Sequence, residues 1–256
     1  MTKLLIESLS GDFVQKLTAS FLGRLRSAGS LTSFEEYFIE ALHSSSHAFA
    51  AGAQVYTEGD PVVKPWIVGT GWACQLRVLP DGRRQIISFF LPGDSIGLDE
   101  THASFAQPTI LALTDLRLLN AAKLAEAIGR RDETLPNILR ACRMEIADRQ
   151  AQLLDHVVRL GRLTALERMA HLLLELLGRA ENAGFAHEGK FALPMTQLQL
   201  GEALGLSLVH VNRTMQQLRR DRLIELKPGR VTILDRERLE LLSDFRKPAL
   251  PAIPAP

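Results

Sequence analysis

The chain has 256 residues, 46% of them apolar and 23% charged, with a formal net charge of +1. This accommodates one large or two modest globular units. It leaves no apolar run near the ~18 residues a membrane-spanning helix needs, and the start Met1-Thr2-Lys3-Leu4-Leu5-Ile6 has no secretory pattern, so a cytoplasmic protein is expected. Two cysteines, Cys74 and Cys142, exclude a disulfide framework and a four-cysteine zinc or iron–sulfur site within one chain.

Charge is unevenly spread. Residues 31–60 hold no Lys or Arg. Residues 207–230 carry Arg213, Arg219, Arg220, Arg222, Lys227 and Arg230 against only Asp221 and Glu225. A local basic patch of this kind points to a polyanionic partner more directly than the total does.

Residues 1–48 read as short helices. In Ser33–Leu42, Phe34, Tyr37, Phe38, Ala41 and Leu42 mark one apolar face, with Ser33 as cap ahead of Glu36. From about 49 to 120 the period shortens. The β-type runs are Val55–Tyr56, Trp66–Val68, Ala73–Leu79, Gln85–Phe90, Thr109–Leu113 and Leu116–Leu119, separated by Gly- and Pro-marked turns. Short strands at this spacing indicate an antiparallel roll or jelly roll. Ala121–Ile128 is a short amphipathic helix, and a long helix is expected over Pro136–Leu160. Along it, Leu139, Cys142, Ile146, Arg149, Leu153 and Val157 form a narrow stripe of the kind a two-stranded seam requires. Packing of that helix on its own roll is the alternative.

Gly161 interrupts the pattern, and Thr164 with Glu167 forms a capping box for the next helix. Asn182–Gly189 reads as a loop. A hairpin follows at Leu223–Leu226 and Val231–Leu234, then a short helix near Arg236–Leu242, and residues 247–256 form a Pro-rich tail expected to be disordered.

Leu198–Leu223 carries the functional signal. A short helix ends at Gly205, Ser207 caps a second helix, and Val211, Met215 and Leu218 face inward. Ser207, His210, Arg213 and Gln217 then point outward along one edge. A helix presenting small polar groups and an Arg at its N-terminal half can enter a major groove, where Arg donates two hydrogen bonds to guanine. The following hairpin would be a wing against phosphates.

Together these segments resemble the Crp/Fnr superfamily of bacterial transcription regulators. The motifs are Leu163-Thr164-Ala165-Leu166-Glu167-Arg168-Met169-Ala170, Gly205-Leu206-Ser207 through Asn212-Arg213, the wing strands, and the roll turns Glu58-Gly59-Asp60, Asp81-Gly82-Arg83 and Leu91-Pro92-Gly93-Asp94. The resemblance implies an α+β chain. Its parts would be an N-terminal antiparallel β-roll like a cyclic-nucleotide-binding domain (1–130), a dimerisation helix (131–161) and a C-terminal winged helix-turn-helix (162–246). It further implies a homodimer on a two-fold symmetric DNA site, with RNA polymerase a further partner if it activates. Arg213 matches the guanine-reading Arg and Ser207 a phosphate- or base-contacting Ser, while Gln197 and Lys227 match phosphate contacts, with Arg230 beside them. Val209 stands where the family often has Glu, so it cannot accept from cytosine but can touch a thymine methyl. His210 and Asn212 are the expected substitutes.

For the sensor, the cyclic-nucleotide branch holds ribose with a Glu and phosphate with Arg-Ser/Thr. Leu98, after Gly97, and Ala106-Gln107 stand in those places, so cyclic AMP is not expected as ligand and the effector is unknown. The iron–sulfur branch needs N-terminal cysteines that are absent here. No metal site is expected either: His43 and His47 have no third ligand, and nothing singles out His102 or His156 as haem ligands. A cupin-like enzyme would need clustered His and carboxylates, yet the strands between 54 and 119 have no His, so no catalytic residue is assigned. A winged helix that binds protein, with Leu208 and Val209 near its edge, and a redox or haem sensor are the remaining alternatives.

Overall fold

The computed structural model describes residues 11–42, 46–60, 64–98 and 108–245. Ala106, Gln107, His43, His102 and the Pro-rich tail lie outside them.

The period-two segment forms two four-stranded antiparallel sheets. One has the order β1 (Ser46–Phe49), β8 (Leu116–Asn120), β3 (Trp66–Thr70), β6 (Ser95–Ile96). The other runs β2 (Gln54–Tyr56), β7 (Thr109–Ala112), β4 (Ala73–Val78), β5 (Arg84–Phe90). Tyr56, Trp66, Val68, Phe90, Ile96, Ile110, Leu116 and Leu118 cluster to form the roll's interior. The Trp66 indole donates to the Tyr56 hydroxyl, which donates to the Lys64 carbonyl, so the buried polar tips of both rings are satisfied.

Helix α1 (Gly11–Ser27) and helix α2 (Ser33–Glu40) precede the roll. The expected face of α2 is corrected. Phe34 and Tyr37 are 56% and 69% exposed, while Glu35 and Ile39 are fully buried. The cap is Thr32, paired with Glu35, and not Ser33. The reason lies in helix α4 (Pro136–Arg162), whose N-cap residue Leu135 has no side-chain bond to offer. Glu35 supplies it, accepting from the backbone N–H groups of Asn137 (2.7 Å) and Ile138 (3.1 Å) and from the Asn137 side chain. Orphan N–H groups at a helix start favour an anion. Burial alone would raise the Glu35 carboxyl, but the Thr32, Asn137 and Ile138 donors outweigh it and hold the group below the usual carboxylate range. Glu35→Ala is expected to destabilise the fold by about 1–3 kcal/mol, measured by denaturant unfolding, because it strands those donors. Unchanged stability would show that water replaces the carboxylate at no cost.

Helix α3 (Ala122–Arg130) closes one end of the roll, and α4 then runs along it. The expected seam on α4 divides in two. Cys142 packs with Phe21, Ile39, Ile67 and Leu124 in this chain's own core, and Leu139 is also buried. Ile146 is half-buried, and Arg149 donates to the Ser95 carbonyl and lies over the Phe90 ring. Among the six, only Leu153 and Val157 are exposed, at 38% and 67%, joined by Leu154 and Val158 at 68% and 54%. The first half of α4 is thus occupied by α1, α2, α3 and the roll, which take Leu139, Cys142 and Arg149 out of an exposed seam. Burial pushes the Cys74 thiol up to about 12 and raises that of Cys142, so neither is a reactive thiolate.

The C-terminal unit comprises helix α5 (Ala165–Asn182), strand β9 (Lys190–Ala192), helices α6 (Gln197–Leu204) and α7 (Leu208–Arg220), strands β10 (Ile224–Lys227) and β11 (Arg230–Ile233), and helix α8 (Arg236–Ser243). Its sheet has the order β10-β11-β9. The core of this unit is continuous with Cys74, Leu76, Ile86 and Phe89 on the outer face of β4 and β5 and with Trp72 just before β4.

Two histidines sit at the α4–α5 joint. Arg159 donates to Glu175, and its other contact, at 3.1 Å, is His171 Nδ1. Burial, then the Arg159 charge, lower His156 and His171 from 6.5 to about 4. Both are neutral in the fold at pH 6, whereas the unfolded chain takes up their protons below about 6.5. The stability they confer is complete above pH 6.5 and is lost as pH falls from there to about 4. After solvent screening this is about 2 kcal/mol each. Asp155, raised by burial and then by Glu175, offsets part of it. The wild type should lose stability against denaturant as pH falls from about 6.5 toward 4, and the His156→Leu, His171→Phe double variant should lose less. An equal loss in both would remove these histidines as the cause.

Candidate nucleic-acid interface

Three N-caps in succession build the helix-turn-helix. Thr164 caps α5 with Glu167, Thr196 caps α6 with Gln199, and the Ser207 hydroxyl accepts from the His210 N–H at 3.3 Å to start α7. Between α6 and α7 the chain turns at Gly205, in the left-handed region at φ 63°. Gly201 is required by proximity: a Cβ there would lie 2.6 Å from the Leu206 carbonyl oxygen. Arg168 ties the turn to the α4–α5 joint, donating to Leu163 O (2.7 Å) and Leu204 O (3.0 Å).

Burial on α7 follows the helical period. Val211, Thr214, Met215 and Leu218 face inward, so Val209, His210, Asn212 and Arg213 are exposed together with the capping Ser207. The Ser207 hydroxyl also lies 2.9 Å from His210 Nδ1. Asn212 donates to Gln197 Oε1 at 3.3 Å and accepts from Gln216 at 2.8 Å. This amide chain joins the starts of α6 and α7 along one edge and pre-orients its donors. Gln217 is half-buried, and the exposed Gln216 completes the row instead. The Arg213 side chain is solvent-exposed and has no partner among the described residues. A free fork of five donors on the exposed N-terminal half of a helix is suited to bidentate readout of a guanine edge.

The wing continues the basic surface. Lys227 and Arg230 face each other across the β10–β11 hairpin, and both are exposed. Lys227 is within 3.4 Å of Glu225, an exposed pair worth little against a phosphate. Behind the hairpin, Gln216, Arg219, Arg220 and Arg222 line a groove that extends the patch.

In the roll, Gly97 has φ 72° and Leu98 is 3% exposed within the apolar cluster that includes Ile67 and Leu119. An aliphatic side chain in that setting offers no partner to a ribose hydroxyl. Sequence reasoning missed the ties from this unit to the roll. Arg84 on β5 makes a bidentate pair with Glu202 of α6 at 2.8 and 3.1 Å. Arg179 of α5 reaches Asp94 at 2.5 Å. Both join residues more than 80 apart, which periodicity does not reveal.

Comparison with known proteins agrees with this geometry. Residues 46–125 match the cyclic nucleotide-binding domain family and residues 167–242 the Crp-like helix-turn-helix domain. The nitrogen fixation regulation protein FixK of Bradyrhizobium diazoefficiens is 34% identical over 197 residues, covering 76% of this chain and 80% of that protein. Electron transport regulator A of Shewanella oneidensis is 30% identical over 196 residues, 75% of this chain and 76% of that one. The solved structure of FixK2 from Bradyrhizobium japonicum superimposes with a TM-score of 0.66 at 31% identity, covering 77% of this chain and 96% of that one. Among the described residues no helix is long and apolar enough to cross a membrane. With its antiparallel roll, its long helix and its winged helix-turn-helix, the chain belongs to the Crp/Fnr family of DNA-binding transcription regulators.

Proposed function

We propose that two copies of this chain pair through the second half of α4 and bind a two-fold symmetric DNA site in the cytoplasm. Arg213 reads a guanine in each half. Ser207, Val209, His210 and Asn212 set the rest of the half-site, with Val209 against a thymine methyl, and Gln197, Lys227 and Arg230 contact phosphates. The observation that carries this reading is the exposed Ser207–Arg213 edge, with its free guanidinium, beside a basic wing. The exposed apolar face of Leu153, Leu154, Val157 and Val158 supports the pairing. Selection from a random duplex pool tests it: a palindromic consensus, bound in a salt-sensitive way, is expected, and recovery of no sequence would refute it.

Cyclic AMP is not the effector in this reading. The buried Leu98 and the aromatic filling of the roll support that. At 1 mM, a ligand of 10 µM affinity would stabilise the protein by about 2.7 kcal/mol. We expect cyclic AMP at that concentration to leave both the melting temperature and the DNA affinity unchanged; a shift of several degrees would contradict this.

A further inference from the structure

The winged helix is joined to α4 by very little. Leu163 is extended at φ −83° and ψ 146°, and Thr164 already caps α5. A joint this short and extended acts as a hinge unless lateral contacts hold the unit in place. One such contact is centred on Asp94, which is 2% exposed. Its Oδ2 accepts from the Leu91 N–H at 2.7 Å and from Arg179 of α5 at 2.5 Å. Arg179 also donates to the Phe89 carbonyl at 2.6 Å and to Glu175 at 3.3 Å. The other oxygen, Oδ1, accepts from Arg24 of α1. Helix α1 crosses directly over this turn: a Cβ on Gly93 would lie 2.8 Å from the Ser20 carbonyl oxygen. One buried carboxylate therefore fastens three parts of the molecule, namely α1, the roll and the DNA-binding unit. Neither matched domain family includes α1, since the matches cover residues 46–125 and 167–242.

We propose that Arg24 is a positioning residue for DNA recognition: by sharing Asp94 with Arg179 it locks α5, and the winged helix behind it, at the angle that sets the separation of the two α7 helices in the dimer. This rests on the dimeric DNA-binding reading above. The exposed edge of α7 takes no part in the lock, so the locked state is one that can reach DNA. Without Arg24, Oδ1 is a buried carboxylate oxygen with no donor, and burying it unpaired is unfavourable. Water then enters beside the turn and weakens the Asp94–Arg179 pair by raising the local dielectric. The unit is then held to the roll by the apolar face it shares with β4 and β5 and by the Arg84–Glu202 pair, and its swing on Leu163 widens. Binding to a single half-site does not sense that freedom, whereas simultaneous binding to two half-sites one helical turn apart does.

The test uses the full chain, with nitroxide labels on Asp81→Cys in the roll and Glu237→Cys on α8, both exposed positions. The native cysteines are buried and do not compete for label. The DNA probes are the palindromic duplex selected by the wild type, the same duplex with half-site spacing altered by one and two base pairs, and a single half-site. In Arg24→Gln we expect a broadened distance distribution, about tenfold weaker binding to the palindrome, a flattened dependence on spacing, and unchanged binding to the half-site. Arg24→Lys, which keeps the charge, should show less than half of each effect. Wild-type distances in Arg24→Gln, with or without an affinity loss, would overturn the proposal. If Arg24→Gln does not fold, Arg24→Met, which keeps the bulk and removes charge and donor, carries the test, and a distribution of wild-type width with unaltered spacing preference overturns it. Failure of the wild type to select any duplex would instead sink the DNA-binding reading, while the distances would still report on the lock.

Discussion

Val157→Asp is expected to convert the protein to a monomer at micromolar concentration and to abolish tight binding to the palindromic site. Leu153, Leu154, Val157 and Val158 leave much of their apolar surface in water in the single chain. Burying a whole side chain of this kind stabilises by about 1.5–3 kcal/mol, so these half-exposed ones contribute about 1 kcal/mol each. Eight such side chains across a symmetric pair set about 8 kcal/mol of driving force against the cost of association, itself about 4–15 kcal/mol. The margin is narrow. An aspartate near the two-fold axis removes two of the contributors, brings like charges together and must be desolvated. Together these exceed about 3 kcal/mol, more than a hundredfold in dimer dissociation. Light scattering reads the mass. Val157 is 67% exposed and belongs to none of the apolar clusters, so the variant should fold as a monomer with native secondary structure. A dimeric Val157→Asp protein would show that α4 is not the seam.

Arg213→Ala is expected to cost about 1–3 kcal/mol per half-site and to relax selectivity at one base pair in each half, with the slope of affinity against salt nearly unchanged. Lys227→Ala should behave in the opposite way. It should weaken binding evenly across sequences and reduce the salt slope by about 1 per copy, as expected for a phosphate contact. Competition against single-base variants of the selected site distinguishes the two. If Arg213→Ala weakened all sequences equally, its guanidinium would be a phosphate contact and the reading assigned to α7 would be wrong.

What the sequence reveals depends on how far apart the interacting groups lie along the chain. The six principal roll strands, the α4–α5 boundary and the cap–Gly–cap pattern of the helix-turn-helix are written in local periodicity and turn chemistry, and they are all present. Strands β1, β6 and β9 were not legible. Ser46–Phe49 shows no apolar alternation, Ser95–Ile96 has two residues, and Lys190–Ala192 has three; all owe their form to their neighbours in the sheets. The orientation of α2 failed for a physical reason. An acidic residue counts as polar in any pattern, but Glu35 is drawn inward by N–H groups some 100 residues away. The stripe on α4 was legible but its partner was not, because a row of apolar residues does not say which surface covers it, and helices α1–α3 with the roll cover its first half. The exposed edge of α7 was legible because its exposure follows from its own period, whereas Arg84–Glu202 and Arg24–Asp94–Arg179 are products of the tertiary fold.

The most direct test of the account is methylation-protection footprinting on the selected duplex. Two dimer-related α7 helices should protect major-groove guanines in two patches on one face of the DNA, centred about 10 base pairs apart, and Arg213→Ala should expose one guanine in each. A single protected patch, or protection confined to the minor groove, would contradict it.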